Sequence, residues 1–377
     1  MSAPETSAGE FDGGGRHDIV YPSTIAFVGA HIGCLAVIWS GVTWRAILIC
    51  LTLYWVRIFA IGAGYHRYFS HRAYSTTRLF QFILAFLSQS SAQKSVLWWA
   101  AKHRQHHRYS DTDQDVHSPQ RDGFLYSHIG WVFDRKHRTA DLTQIQDFAR
   151  YPELMWLHRF ETGPAILAGV ICFLLAGWSG LVVGFLWSTV LVYHATFCIN
   201  SLAHVRGRKR YVTGDESRNN GFLALFTLGE GWHNNHHACQ SSVRQGFKWW
   251  EVDPTYYVLW SLSKLGVVWG LKTPSADLLR GEHRLGSRVI ERAAQQLAAR
   301  FSVQGTPSRE ALLAMAAGMF FAGTVSLEEI VSRAQALLVS PAGSLEGARQ
   351  YALPQSARPL ARPLASPPAG ESGAAPF

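Results

Sequence analysis

Eight histidines fall in three short clusters: His66 and His71 in HRYFSH, His103, His106 and His107 in HRQHH, and His233, His236 and His237 in EGWHNNHH. The chain has 17 histidines, and the remaining nine are single. In the second and third clusters the spacing is i, i+3, i+4, which predicts three imidazoles on one helix face, aimed at a common point. That is the spacing of metal ligands. The first pair is i, i+5, a rotation of about 140° around a straight α-helix. The chain is therefore expected to turn at Tyr68 to Ser70 and swing His71 back toward His66. A fourth segment, NSLAH, sets Asn200 and His204 one helical turn apart. Alone, such a pair reads as helix capping; beside eight other histidines, His204 reads as a ninth ligand.

Nine neutral imidazoles are too many for one ion. A structural zinc is satisfied by four ligands, so two metals sharing nine histidines, with a water held by Asn200, fit the count better. Imidazole suits zinc, copper, iron and nickel, and no thiolate or carboxylate set accompanies it here. Two redox-active irons at a membrane surface imply oxygen chemistry on a lipid. An unactivated methylene offers no acidic proton and no polar handle, so acid–base groups cannot attack it, and an oxidant built from metal and O2 in a dry cavity is required.

The elements that must position these residues follow from composition. Of 377 residues, 48% are hydrophobic and 13% aromatic, and only 16% are charged, against roughly 25% in an average soluble domain. The formal charge of +9, on so apolar a chain, suits an anionic membrane surface or substrate better than nucleic acid. Cys34, Cys50, Cys172, Cys198 and Cys239 are dispersed in mostly apolar runs without a CxxC and read as core residues in a reducing compartment. Spans of about 20 apolar residues are expected at about 24–40, 46–65, 160–177 and 180–199. The last two come from an uncharged run, Pro164 to Cys198, that must fold back at GWSG, Gly177 to Gly180. Short turns poor in Lys and Arg on the far side place the bulk of the protein and both termini in the cytoplasm. Leu79 to Ala101 is also apolar, but its polar SQSSAQKS centre with Lys94 reads as an interfacial segment rather than a fifth crossing. Arg57 lies in mid-span and must either face the bundle interior or snorkel. The fold expected is an all-α integral membrane protein, four transmembrane helices in two hairpins topped by a cytoplasmic helical cap that holds a dinuclear metal site. It is flanked by a disordered polar N-terminus (1–20), a helical C-terminal extension (286–353) and a disordered Pro/Ala-rich tail (354–377), with the membrane domain at 21–285. Histidines at span ends, rather than within the spans, argue against a transport pathway.

The four histidine motifs, together with YSDTDQDVHSP and YSHIGWVFDRKH, resemble those of the membrane-bound acyl-CoA desaturases, the stearoyl-CoA (delta-9 type) fatty acid desaturase family in its bacterial form. The similarity runs from about Tyr54 to Glu251. It implies a diiron centre held by His66, His71, His103, His106, His107, His204, His233, His236 and His237, with Asn200 acting through water. It also implies insertion of a cis double bond, at the delta-9 position, into a saturated fatty acyl-CoA with O2 and two electrons. Arg135 and Lys136 match residues that contact the phosphates of CoA. Tyr54 matches a tunnel-end residue, about 18 Å from His66 at 1.5 Å per residue, with Ile58 one turn nearer the metal. The chain departs from the animal members at Ala101 and Lys102, where those carry an Arg-Asp pair, so a phospholipid-bound acyl chain competes with acyl-CoA. A membrane hydroxylase or ketolase would use the same metals. With no HPGG haem signature in the sequence, electrons are expected from a separate ferredoxin-, flavin- or cytochrome b5-type donor and its reductase. The location expected is a bacterial inner membrane.

Overall fold

The computed structural model describes residues 21–301, 307–320 and 324–339. The expected polar leader and Pro/Ala-rich tail, and residues 340–353 of the extension, lie outside these. Helix α1 (Tyr21–Gly33) continues through a 3-10 turn at Cys34–Ala36 into Val37–Ser40. Helix α2 (Trp44–Ala60) starts where the Thr43 hydroxyl accepts the Ala46 amide at 3.2 Å, satisfying one of the orphan donors of a helix start. It passes unbroken into a π-helical segment, Ile61–Ser70.

Among the described residues, two helical stretches are long and apolar enough to cross a membrane, Trp44–Ser70 and Gly163–His204, with a shorter apolar helix at Ile25–Ser40. The second stretch is 42 residues long, about 63 Å if straight, and it is not straight. Helix α5 (Gly163–Ser179) leaves helical geometry at Ala176 and at Gly177, which has φ 60°. Beyond the bend a π-helical turn (Gly180–Trp187) leads into helix α6 (Ser188–Asn200). The chain folds back so closely that a Cβ at Gly180 would lie 2.1 Å from the Cys172 carbonyl oxygen, and one at Gly169 would touch the Phe185 ring at 3.5 Å.

Arg57 faces inward. It is 0% exposed, donating to Ser90 Oγ at 3.3 Å and to Ser188 Oγ and Thr189 Oγ1 at 3.0 Å, with its guanidinium 4.9 Å from the Phe185 ring centroid. It thus ties α2 to α6, the interior solution for a charge in an apolar bundle. The Ser90 that receives it sits between helices α3 (Arg78–Gln89) and α4 (Val96–Tyr109), which divide the apolar segment at 79–101 into two. The break falls in the polar SQSSAQKS stretch, where Ala92 and Lys94 adopt positive φ. At 12 residues, α3 reaches about 18 Å, short of a bilayer core of about 30 Å.

Helices α7 (Gly221–Phe226), α8 (His233–Ala238) and α9 (Pro254–Lys264) complete the body, and a two-residue antiparallel ladder pairs Ser75 with Trp269 and Thr76 with Val268. Beyond it, helices α10 (Ser287–Phe301), α11 (Arg309–Phe320) and α12 (Leu327–Val339) build their own core from Ala293, Leu297, Leu312, Ala316, Ile330 and Val331, each 0% exposed.

The fold-back gives a direct test. Gly180→Ala forces a methyl into a backbone carbonyl and should cost about 1–3 kcal/mol of stability, whereas Gly169→Ala makes an ordinary contact and should be near neutral. Thermal melting in detergent should separate the two; equal melting temperatures would contradict the close approach.

Candidate metal centre

The two i, i+3, i+4 clusters do not aim their rings at one point. Along an α-helix four residues rotate by about 40° and three by about −60°, so the i, i+4 members share a direction and the i+3 member points elsewhere. His103 and His107 from α4 join His66, His71 and His236 in one group. His233 and His237 from α8 join His106 and His204 in another. Each short helix therefore feeds both groups.

The first pair is brought together by a device the 3.6-residue repeat does not contain. No turn occurs at Tyr68 to Ser70; helical structure runs through Ser70. His71 N donates to His66 O at 3.2 Å, an i to i+5 bond, and π-helical winding places residues five apart on one face.

In the five-imidazole group the Nε2 atoms of His66 and His236, His71 and His103, His103 and His107, and His107 and His236 are each 2.9 Å apart. Two imidazoles at right angles on an ion with metal–nitrogen bonds of about 2.0–2.1 Å would sit about 2.9 Å apart. The spacing therefore fits adjacent ligands of one ion. In the four-imidazole group His204 Nε2 and His233 Nε2 are 3.0 Å apart, and the Nε2 atoms of His106 and His237 are buried without a protein partner.

The opposite ring nitrogens fix the tautomers. His106 Nδ1 lies 2.8 Å from Asp115 Oδ1, His237 Nδ1 2.7 Å from Asp215 Oδ2, His204 Nδ1 3.4 Å from Asp111 Oδ2, and His66 Nδ1 is bonded to Glu230. A carboxylate accepts the Nδ1 proton and leaves the Nε2 lone pair free for a metal. Burial alone would raise these four carboxyls, but the facing histidines outweigh it. Glu230, with His66 and Arg67 beside it, is held at about 2, and Asp111, Asp115 and Asp215 also lie below the usual carboxylate range.

None of these carboxylates was assigned a role by spacing, although Asp111 and Asp115 stand in YSDTDQDVHSP and Glu230 opens EGWHNNHH. The two asparagines of that box pin α8. Asn234 Oδ1 accepts the amides of Arg210 and Tyr211 at 2.7 and 2.8 Å, and Asn235 Nδ2 donates to Gln245 O at 2.9 Å and Glu251 Oε2 at 2.8 Å. His117, single in sequence, stacks on His106 with centroids 4.3 Å apart. His31, also single, stands 3.0 Å from His194, which in turn stands 3.1 Å from His128.

Asn200 lines two cavities that also share Trp99, His103, His117 and Thr196. The outer has a volume of about 340 Å³ and is walled by Trp98, Lys102, Trp131 and Phe133. The inner, about 40 Å³, runs past His66, His106 and His233 to Ile58 and Ile61. Tyr54 is not among its lining residues; its hydroxyl donates to the Phe226 carbonyl of α7 at 2.8 Å, one turn behind Ile58. Arg135 and Lys136 are exposed just past the outer wall, with Lys136 Nζ 3.3 Å from Asp134. Lys102 is only 8% exposed and makes no hydrogen bond among the described residues.

Burial, reinforced by neighbouring histidines, lowers His71, His103, His107, His233 and His236 well below the ordinary imidazole value. Unfolded, these rings take up protons as pH falls through about 6.5; folded, they do not until far lower pH. The unfolded state then binds more protons, so stability falls with pH, by up to about 1.4 kcal/mol per unit for each ring. Metal-free protein should melt at progressively lower temperature from pH 7 to pH 5. A flat or rising profile would contradict the neutral, buried assignment.

Residues 42–270 match the fatty acid desaturase family. The chain is 38% identical over 260 residues, 68% of its length and 95% of the relative's, to an sn-1 stearoyl-lipid 9-desaturase of Anabaena variabilis. It is 36% identical over 251 residues, 66% of its length and 78% of the relative's, to an acyl-CoA 5-desaturase of Anemone leveillei. A hex-5-enoyl-[acyl-carrier protein] acetylenase of Moorena producens is 31% identical over 289 residues, 71% of the chain and 89% of the relative. With two imidazole groups opening on a shared cavity and apolar helices long enough to cross a bilayer, this similarity makes the chain a membrane protein of the fatty acid desaturase family.

Proposed function

We propose that the chain is an O2-dependent diiron desaturase that inserts a cis double bond, at the delta-9 position, into a saturated long-chain fatty acyl-CoA. The reaction balances as CH2–CH2 + O2 + 2 e− + 2 H+ → CH=CH + 2 H2O. One observation carries the reading: both imidazole groups border the junction of an outer cavity with a narrow inner chamber ending at Ile58 and Ile61. A long thin substrate threaded through both would present one internal bond to the metals.

One iron would be held by His66, His71, His103, His107 and His236, the other by His106, His204, His233 and His237 with Asn200 through water. Iron suits an imidazole donor set that must also meet O2, and when bound it supplies the oxygen activation that an aliphatic C–H bond demands. The chain's own residues do the rest. Trp99, Thr196 and Ile58 hold the acyl chain and exclude water from the reacting bond. At the other end, Lys102 is a buried amine that makes no hydrogen bond among the described residues, with the charge of Asp141 acting on it only at a distance. As an ammonium, Lys102 costs several kcal/mol to bury, and a phosphate or acyl carbonyl of the substrate would supply its missing partner, with Arg135 and Lys136 placed beyond it for further phosphates.

The fold-back at Gly177 and the apolar helix Ile25–Ser40 support four spans in two hairpins; the active site and both termini would then lie on the cytoplasmic side of a bacterial inner membrane, a side argued from the distribution of Lys and Arg alone. Electrons would come from a separate ferredoxin-, flavin- or cytochrome b5-type donor with its reductase. A second reading, an acyl chain still esterified to a membrane lipid, is favoured by the relative from Anabaena variabilis, named for stearoyl-lipid, and by Lys102 standing where animal acyl-CoA desaturases carry an acidic residue.

Expression in cells lacking their own desaturase, with fatty-acid profiling and double-bond location, tests the reaction. Cis-monounsaturated acids should appear, and hydroxy or keto acids instead would overturn it. Purified enzyme with a reductase and ferredoxin, offered stearoyl-CoA or stearoyl-phospholipid in nanodiscs, decides the head group. His107→Ala should abolish turnover and lower bound iron.

Chain length is set at the far end. Ile58→Trp should shift preference to shorter acyl chains and Tyr54→Ala to longer ones, without moving the double bond as counted from the carboxyl end. Competition among saturated chains of graded length reads this directly; an unchanged profile in both variants would return these residues to packing.

A further inference from the structure

The family match ends at residue 270, yet α10, which packs with α11 and α12 beyond it, touches the loops of the candidate centre. Helix α4, which carries the second histidine box, ends at Tyr109, and the last carbonyls of any helix lack partners within it. Here the partner comes from α10. Arg292 Nη2 donates to the Arg108 carbonyl at 2.7 Å and Nη1 to the Ser110 carbonyl at 3.5 Å, placing a cation at the negative end of the helix dipole. The stem of the same side chain lies on a second loop: a Cβ at Gly214 would be 3.0 Å from Arg292 Cβ. Val212 and Leu285 pack onto the core of the three-helix unit from below.

These two loops carry the carboxylates of one imidazole group and not the other. Asp111 follows Ser110 and faces His204; Asp215 follows Gly214 and faces His237. Asp111 Oδ2 also accepts the Glu216 amide at 2.7 Å, which joins the loops. Glu230, which faces His66 of the five-imidazole group, is held by Arg67 from the second helix instead.

We propose that the C-terminal three-helix unit clamps the four-imidazole centre, with Arg292 the positioning residue that fixes the Asp111 and Asp215 loops and through them the His204 and His237 rings. This rests on the two-centre reading above. Removing an outer partner of a metal-ligating histidine typically weakens binding by about 10–100-fold; Arg292 acts one step further out, through the loops that carry such partners, so its loss should lie at the low end of that range and fall on one ion of two.

The test is reconstitution of metal-free, full-length protein with Co(II), followed by absorption and by metal content after desalting. The unaltered chain should take up two ions. Arg292→Met should keep one with unchanged affinity and bind the other about 10-fold more weakly, and Arg292→Lys should recover part of the loss. Two ions bound with unaltered affinity by Arg292→Met would overturn the clamp alone. So would equal weakening of both ions accompanied by a lower melting temperature of the metal-free variant, which marks general destabilisation. An unaltered chain that binds fewer than two ions would overturn the two-centre reading and the clamp with it.

Discussion

Glu230 accepts from His66 Nδ1 and from both Nε and Nη2 of Arg67, and Arg67 reaches on to Asp253, whose carboxylate receives the amides of Gln245 and Tyr256. The end of the second helix, the third histidine box and the start of α9 are thereby joined through one buried cation and two carboxylates. Breaking such a network from one side leaves a charge without a partner at a cost of about 3–5 kcal/mol. The rest of the site depends on this, because neutral imidazoles crowded together have no attraction of their own. Four of the nine rings, His66, His106, His204 and His237, are held at the far nitrogen by a carboxylate.

That requirement explains the division of labour between helices and loops. The helices supply pairs of rings at fixed spacing, while the carboxylates come from irregular segments: Asp111 and Asp115 after α4, Asp215 before α7, Glu230 before α8. A loop tolerates the exact approach angle that a hydrogen bond to a ring nitrogen needs, and a helix does not. The loops must then be fixed in turn, by Asn234, Asn235 and Arg292 among others.

That these nine histidines come together in two groups was partly legible in the sequence because histidine is uncommon and i, i+4 pairs are a local pattern. Which ring serves which group was not, since it depends on the difference between three and four residues of rotation seen in three dimensions. The π-helical winding that unites His66 with His71 leaves no trace in a reading based on 3.6 residues per turn. The carboxylates were invisible for another reason: Glu230 lies 164 positions from His66 and Asp215 lies 22 from His237, so no local spacing links acid to base. Arg57 could be seen as anomalous, but its partners on α6 are 131 and 132 residues away. The bend at Gly177 was legible, because an uncharged run too long for a bilayer must fold back and glycine tolerates the positive φ that the turn requires.

The same long-range wiring bears on where the double bond can go. His66 and His71 stand at the end of the helix that also carries Ile58 and Tyr54, and Tyr54 is tied to α7 through Phe226, a few residues before Glu230. One wall of the inner chamber, at Thr227, and the carboxylate that sets the His66 ring thus share one short segment, 227–230. A shift of that segment would move chamber depth and ring orientation together, so under a diiron desaturase reading chain length could not be retuned freely from this side. At the other end Lys102, next to His103 on α4, extends into the outer cavity without a hydrogen bond among the described residues, so under that reading the polar end of a substrate is met from α4 and not from segment 227–230.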